Sequence, residues 1–248
     1  MRRCNFKRFF PLGVLLFFAA VRLHAQNVTM VSRDIDTLNK KPAVGPNRAF
    51  YAQELFQLGA IVGPQEYGYP ANPWSASFSY GFRMKAKLCS WNAFTFDFGY
   101  HLDRFSMNQK QVKLPPFDPA RHKRQTLSAN SLYFSFCDRV NIGRRGDVLG
   151  RWIDFGGYGE WIFRATDFYV DQHYDSNSPS GYNFKTKTRI ARLPYIDKFD
   201  YGFTVRFGGE MFALFADYRM SDLIKASATP NGHDLPRLAI GIDLAVGQ

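Results

Sequence analysis

The sequence lacks the features that define a helical membrane protein. No apolar run approaches the roughly 20 residues that a spanning helix needs, and the mean hydropathy is −0.29. The clearest apolar run, residues 9–21, follows a basic start and precedes the small-residue motif Leu23-His24-Ala25. This arrangement predicts a secretory signal peptide over residues 1–25 that is removed before Gln26.

Cysteine and the common catalytic motifs are also scarce. Only Cys89 and Cys137 lie beyond the predicted signal peptide, which excludes a disulfide framework and leaves one bridge open. The chain has no phosphate-binding glycine loop, no Cys/His pattern with zinc spacing and no EF-hand loop. We therefore predict no enzymatic activity, no cofactor and no metal ion.

Acidic residues are fewer than basic ones, with 21 Asp and Glu against 32 Lys and Arg. Much of the basic excess lies in the predicted signal peptide and leaves the chain with it. The remaining charge does not indicate a nucleic-acid partner. For an exported protein, anionic lipid or lipopolysaccharide is the more natural counter-charge.

The chain is rich in aromatic residues, with 25 Phe and 13 Tyr, and these favour strands. Polar residues 26–48 predict a periplasmic lead-in. From Phe50 onward apolar and polar residues alternate, which is typical of strands with two different faces. In residues 74–88, for example, Phe78 and Tyr80 lie on one face and Arg83 on the other.

The alternation predicts eight strands, and their connections differ in length. The strands are expected at residues 50–62, 74–88, 91–105, 126–140, 150–167, 190–208, 210–222 and 236–247. Long polar loops are expected at 63–73, 106–125, 168–189 and 223–235, and short turns at 89–90, 141–149 and 209. An even strand number with long loops at one end is typical of outer-membrane barrels. We predict an all-β fold over residues 49–248, an eight-stranded antiparallel up-and-down transmembrane β-barrel with periplasmic termini in the cell outer membrane.

Alternation alone does not show which face is inside. A secreted lipocalin-like carrier would turn its apolar face inward around a ligand. The polar face of this chain is rich in Gly, Ser and Ala mixed with charges, which suits a crowded interior. The apolar face is aromatic over most of each strand, and we therefore expect it to face lipid.

The predicted inward face carries a balanced set of charges. Buried charges must be paired, and an interior of about eight strands has room only for its own side chains. We therefore expect a salt-bridged plug, with a narrow ion path or a charged ligand pocket as alternatives. The charged residues expected on this face are Arg83, Lys85, Lys87, Arg139, Arg164, Arg206 and Arg219 with Asp97, Asp103, Asp154, Glu160, Asp200, Asp217 and Asp243. The predicted interior charge network consists of Arg83, Lys85, Asp97, Arg139, Asp154, Glu160, Arg206, Asp217, Arg219 and Asp243.

The loop at residues 106–125 is basic, which suits either plain solvation or contact with lipopolysaccharide phosphates. Its candidate contact residues are Lys110, Lys113, Arg121, Lys123 and Arg124. Two histidines are candidates for a catalytic role. His101 is expected inside near Asp103 as a satisfied wall residue. His173 opens a His-Tyr-Asp-Ser-Asn segment that faintly resembles the His-x-Ser-Asn segment of outer-membrane lipid A deacylases, with one residue more in the spacing.

The segments Leu132-Tyr133-Phe134-Ser135-Phe136 and Leu235-Pro236-Arg237-Leu238-Ala239-Ile240-Gly241-Ile242, together with the eight alternating runs, resemble the PorT-like outer-membrane β-barrel family of Bacteroidota-type Gram-negative bacteria. The resemblance covers about residues 50–248. It implies an integral outer-membrane barrel without shared catalytic residues, some members of which serve protein secretion.

The favoured function is a structural or interaction role in the outer membrane. A small porin-like channel, a lipid-modifying hydrolase and a secreted lipocalin-like carrier remain as alternatives. The expected partners are outer-membrane lipid, lipopolysaccharide and the outer-membrane assembly machinery, with secretion-complex proteins as a further candidate.

Overall fold

The computed structural model describes residues 48–63, 75–110, 113, 115–145, 148–174, 183–209, 212–229 and 234–246. The predicted signal peptide and nearly all of the predicted lead-in lie outside these residues. Within them the chain is all-β apart from one short 3₁₀ turn, Ala226–Ala228. None of the described residues forms a helix with the length and apolar character to span a membrane.

The described residues form eleven strands. They are β1 (Phe50–Val62), β2 (Ala76–Lys87), β3 (Asn92–Met107), β4 (Arg124–Asn141), β5 (Arg144–Arg145), β6 (Val148–Leu149), β7 (Trp152–Tyr174), β8 (Asn183–Ala191), β9 (Phe199–Gly208), β10 (Phe212–Arg219) and β11 (Leu238–Val246).

Nine strands make one antiparallel sheet, in which eight close into a ring. The order around the ring is β1, β2, β3, β4, β7, β9, β10 and β11, and β11 pairs with β1 again. The remaining strand, β8, pairs with β7 beyond the part that pairs with β9. One end of the ring carries the short turn between β2 and β3, and we call it the short-turn end. The opposite end, where β3 leads into residues 108–123, is the long-loop end.

The predicted strands match the ring except at three places. The predicted sixth strand, residues 190–208, is two strands, β8 and β9, separated at Leu193-Pro194, because proline cannot donate to the ladder. The predicted long loop at 168–189 is wrong in part, since β7 continues to Tyr174 and β8 starts at Asn183. The predicted turn at 141–149 contains the small β5–β6 ribbon.

A β-bulge lies in β7 where its neighbour changes from β9 to β8. Asn130 of β4 pairs with Arg164, whereas the next residue of β4, Ser131, pairs with Ile162. Phe163 is therefore the extra residue, and alternation shifts by one position beyond it. Residues 192–198 bridge the gap between β8 and β9, and they begin with Arg192 in the left-handed region at φ 59°.

Two glycines mark a close approach of β2 and β3. Gly81 and Gly99 are directly paired in register. A Cβ atom on Gly81 would lie 2.2 Å from the carbonyl oxygen of Phe98, and one on Gly99 would lie 2.4 Å from that of Tyr80. Neither position accepts a side chain without moving backbone, which fits a sheet that curves to close on itself.

An apolar cluster fills the long-loop end of the ring, and we call it the apolar plug. Strand residues supply part of it and the connecting segments supply the rest. Its buried members are Ile61, Phe105, Met107, Phe117, Leu127, Ala129, Ile162, Ala165, Leu193, Ile196, Leu223, Ile224 and Leu235. The plug closes that end of the interior with side chains that need no polar partner.

Candidate functional site

The two faces of the ring have opposite chemistry, as β9 shows. Its outward side chains are between 42% and 71% exposed: Phe199, Tyr201, Phe203, Val205 and Phe207. Between the last two lies Arg206, whose exposed fraction is 0%. A face of large apolar side chains therefore surrounds an interior of charged ones, the reverse of the usual arrangement in a water-soluble domain.

Six buried residues form an unbroken series of ion pairs through the interior, and we call this series the interior charge chain. In order of contact its members are Arg139, Asp154, Arg206, Asp97, Arg83 and Asp243. They come from six different strands of the ring. Each side chain is at most 2% exposed, so the chain of pairs occupies space that solvent does not reach.

Asp97 lies at the centre of the interior charge chain. The Nε atom of Arg83 donates to Asp97 Oδ1 at 2.8 Å, and the Nη2 atom of Arg206 lies 2.6 Å from Asp97 Oδ2. Arg83 also donates through Nη2 to Asp243 Oδ2 at 2.7 Å. One carboxylate thus holds two arginines from β2 and β9, which face each other across the ring.

The other end of the interior charge chain is a two-point contact. Arg139 donates through Nε and Nη2 to the two oxygens of Asp154, at 2.6 and 2.7 Å. Its guanidinium carbon also lies 3.6 Å from the ring centroid of Trp152. Tyr133 and Ser135 accept further hydrogen bonds from Arg206 Nη2, at 3.5 and 3.0 Å. The polar neighbours fix each arginine in one place.

A second polar group lies between the interior charge chain and the apolar plug. The Nδ1 atom of His101 lies 2.7 Å from Ser79 Oγ, and its Nε2 atom lies 3.0 Å from Asp103 Oδ1 and 3.5 Å from Glu160 Oε1. Ser131 donates to Glu160 Oε2 at 2.6 Å. His101 therefore has a partner on each ring nitrogen, as expected for a satisfied wall residue.

The serine, histidine and aspartate of this group resemble a hydrolytic triad only in composition. The cavity beside them has a volume of about 20 Å³ and is also lined by Tyr158 and Asp217. That volume holds about one water molecule. The side chains around His101 therefore pack closely and leave little open volume between them.

The remaining charged residues that were expected inside, apart from Arg164, fall into three sets. Lys85 is buried at 3% exposure, and Lys87 is partly buried at the short-turn end of β2. Asp217 is buried beside the small cavity. Arg219 lies 3.7 Å from Asp200 and donates to Asp234 at 2.9 Å, just below the long-loop end.

The predicted inward position of Arg164 is wrong. Its side chain is exposed, whereas Ile162 and Ala165 on either side of the bulge are buried. The extra residue Phe163 shifts the alternation, so a residue that the uninterrupted pattern places inside lies outside. Only the cross-strand register reveals this shift.

The predicted contact between Lys113 and lipopolysaccharide phosphates is also wrong, because the side chain of Lys113 is buried. It is 2% exposed and donates to Gln125 Oε1 at 2.7 Å. Gln125 in turn donates to Asp167 Oδ2 at 2.8 Å. Burial lowers the pKa of Lys113, against the opposing attraction of nearby aspartates. The other four predicted contact residues are exposed: Lys110, Arg121, Lys123 and Arg124.

The second candidate histidine, His173, has no nucleophile or carboxylate partner among the described residues. His173 is exposed on β7, and its ring stacks on Phe184 at 5.0 Å between centroids. Ser176 and Asn177 of the same segment lie outside the described residues. No disulfide joins Cys89 and Cys137, so the bridge that the sequence left open is not formed.

Sequence reasoning missed the uncharged residues that complete the site. Gln57 donates to Asp243 at 3.4 Å, and Tyr133 and Ser135 contact Arg206. All three lie on the inward side of their strands, and this alternation could have identified them.

Searches of protein-family models, curated proteins and solved structures returned no match to this chain.

Proposed function

We propose that the ring is an eight-stranded up-and-down β-barrel integral to the outer membrane of a Gram-negative, Bacteroidota-type bacterium. Its outward apolar face would lie in lipid, and its role would be structural or would depend on interactions at the long-loop end. The observation that carries the proposal is that the same strands have an exposed aromatic face outside and the buried interior charge chain inside.

The apolar surface supports the membrane location. Water-soluble monomers rarely expose continuous apolar patches larger than a few hundred Å². Here Phe203, Phe207, Leu214 and Ile242 are each about half exposed, and they lie on three neighbouring strands. A lipocalin-like carrier would need this surface inside and the arginines outside.

The filled interior supports a barrel that does not conduct. A porin requires a water-filled lumen. The interior charge chain instead links strands on opposite sides of the ring, and the apolar plug closes the long-loop end. We infer that the long-loop end is the part available to partners, such as lipopolysaccharide, assembly machinery or secretion-complex proteins. Membership of the PorT-like family is part of this proposal and rests on the sequence resemblance alone.

The membrane face can be tested with two equally exposed phenylalanines. Phe203 lies in the middle of β9 within the proposed lipid-facing band, and Phe184 lies on β8 outside the ring; they are 48% and 55% exposed. A charge at the bilayer midplane costs about 2–4 kcal/mol, and little near the interfaces. We expect Phe203→Arg to lower the urea midpoint of the detergent-extracted chain strongly, and Phe184→Arg to leave it nearly unchanged.

The readout is gel migration with and without boiling, since a closed membrane barrel resists the gel detergent and migrates faster unboiled. Planar-bilayer recording of the same sample should show no conductance steps. Equal effects of the two arginine substitutions, or a chain that remains in solution without detergent, would reject the membrane barrel. Regular conductance steps would favour the porin.

A further inference from the structure

The outward face of the ring changes character at the long-loop end of β3, β4 and β7. Below this level it is apolar, with Leu132, Phe134 and Trp161. Above it lie Arg104 on β3 and Arg189 on β8, both exposed. In a membrane barrel the end of the apolar face marks the level of the lipid headgroups.

A groove of about 340 Å³ lies at this level on the outside of the sheet. Arg104, Ser128 and Thr166 form one cross-strand row in its wall, because Ser128 is paired with both of the others. Thr126 and Arg189 line it in the next row, on either side of Phe168. Two arginines and three hydroxyl-bearing side chains therefore line one groove.

Several polar groups of this groove lack partners within the described part of the chain, whereas Asn130, which also lines it, accepts a hydrogen bond from Tyr100 and donates one to the carbonyl oxygen of Arg164. Thr126 and Thr166 are 2% and 4% exposed, yet neither hydroxyl makes a hydrogen bond there. Buried hydroxyls are normally satisfied, so two in one groove require an explanation. Neither Arg104 nor Arg189 takes part in any of the ion pairs formed among the described residues.

The neighbouring surface adds charge of the same sign. The bulge in β7 turns Arg164 outward, and Arg164 lines a second groove of about 370 Å³ with Arg192, Lys198, Lys225 and a single carboxylate, Asp197. Guanidinium groups bind phosphate oxygens through paired hydrogen bonds. The first groove also includes Leu102 and Phe168, so its lining suits a ligand with both an anionic and an apolar part.

From this geometry we infer that the groove lined by Arg104, Thr126, Ser128, Thr166 and Arg189 binds the phosphate group of an anionic lipid. The arginines would hold the phosphate oxygens and the hydroxyls would donate to them. The acyl chains would continue over the apolar face below. This inference rests on the proposed membrane location, and it places the contact on the outer wall rather than on the basic loop at 106–125.

The test measures lipid retained by the full chain, extracted in detergent and examined by native mass spectrometry. The probe is phosphatidic acid, compared with phosphatidylcholine of the same acyl chains and with inorganic phosphate. We expect preferential retention of phosphatidic acid, and a reduction of about tenfold or more in the double variant Arg104→Gln/Arg189→Gln. Arg48→Gln/Arg151→Gln removes the same charge from two exposed sites at the short-turn end and should retain the lipid as wild type does.

Thr166→Val provides a second variant that keeps all charges and the side-chain shape. We expect it to reduce retention by a few-fold, because it removes one donor. Equal retention of the two lipids, or equal losses in the two double variants, would overturn the inference. Displacement by inorganic phosphate at equal concentration would overturn the lipid source and indicate a free-anion site. The gel-migration shift reports on the barrel separately, so a normal shift without lipid selectivity rejects this inference alone.

Discussion

The interior of the ring is filled in two different ways along its length. Toward the short-turn end it contains three arginines and three aspartates in one chain of ion pairs. At the long-loop end it contains aliphatic and aromatic side chains. The members of the interior charge chain all lie on strands, whereas Phe117, Leu193, Ile196 and Leu223 of the apolar plug come from connecting segments.

This difference follows from what each region must hold in place. Ion pairs require defined geometry, and directly paired strand positions provide it: Arg83 is opposite Asp97, and Asp154 is opposite both Arg139 and Arg206. Apolar contacts are not directional, so they tolerate side chains from irregular segments. The strands therefore carry the polar interior, and the loops close it.

The largest effect is expected where one residue holds two buried charges. Asp97→Asn would leave Arg83 and Arg206 without their shared carboxylate charge. Removing one partner of a buried pair costs about 3–5 kcal/mol. We expect a large fall in the urea midpoint of the unboiled gel-migration shift. An unchanged midpoint would show that the interior charges are solvated.

A smaller and more local effect is expected in the apolar plug. Leu127→Ala creates a cavity at a side chain that is 0% exposed, and the loop segments can partly collapse into it. We expect a loss of about 2–3 kcal/mol, at the lower end for such changes, with faster proteolysis of residues 115–122. Leu58→Ala, on the outward face at 52% exposure, is the matched control. Equal proteolysis of the two variants would contradict a plug that holds the loops.

The smallest effect is expected for an ion pair outside both regions. Asp222 pairs with Arg237 at the long-loop end, with 49% and 33% side-chain exposure. Exposed pairs contribute about 0–1 kcal/mol. Asp222→Asn should therefore leave the urea midpoint nearly unchanged, and it provides the reference for Asp97→Asn. A loss as large as that of Asp97→Asn would remove the distinction between buried and exposed pairs.

The sequence predicted the strands of the ring better than the segments between them. Strict alternation around Phe78, Arg83 and Asp97 fixes the strands and the face of each residue. The short turn between β2 and β3 then brings Arg83 opposite Asp97. The contact between Asp97 and Arg206 joins strands far apart in the ring, and no local pattern contains it.

The missed features are those in which the alternation is interrupted or loses its contrast. Beyond the bulge the residues of β7 alternate in the opposite phase, with Asp167 inward and Phe168 and Val170 outward, so the uninterrupted pattern ends near this point. Leu193 and Ile196 are buried in the plug, although the uninterrupted pattern assigned them to a strand. The outward groove depends on the bulge and on the register of four strands, and neither can be obtained from residue spacing.

The bulge at Phe163 changes which residues of β7 face the interior, from even-numbered to odd-numbered ones. Before it, even-numbered residues such as Asp154 and Ile162 face inward, and after it odd-numbered ones such as Ala165 and Asp167 do. A substituted side chain therefore faces outward at odd-numbered positions before the bulge and at even-numbered positions after it. Deleting Phe163 would therefore remove the bulge and leave a regular strand, in which Arg164 still pairs with Asn130 and Asp167 still faces inward. The one extra residue thus determines whether even-numbered or odd-numbered side chains of the second half of β7 line the outward groove.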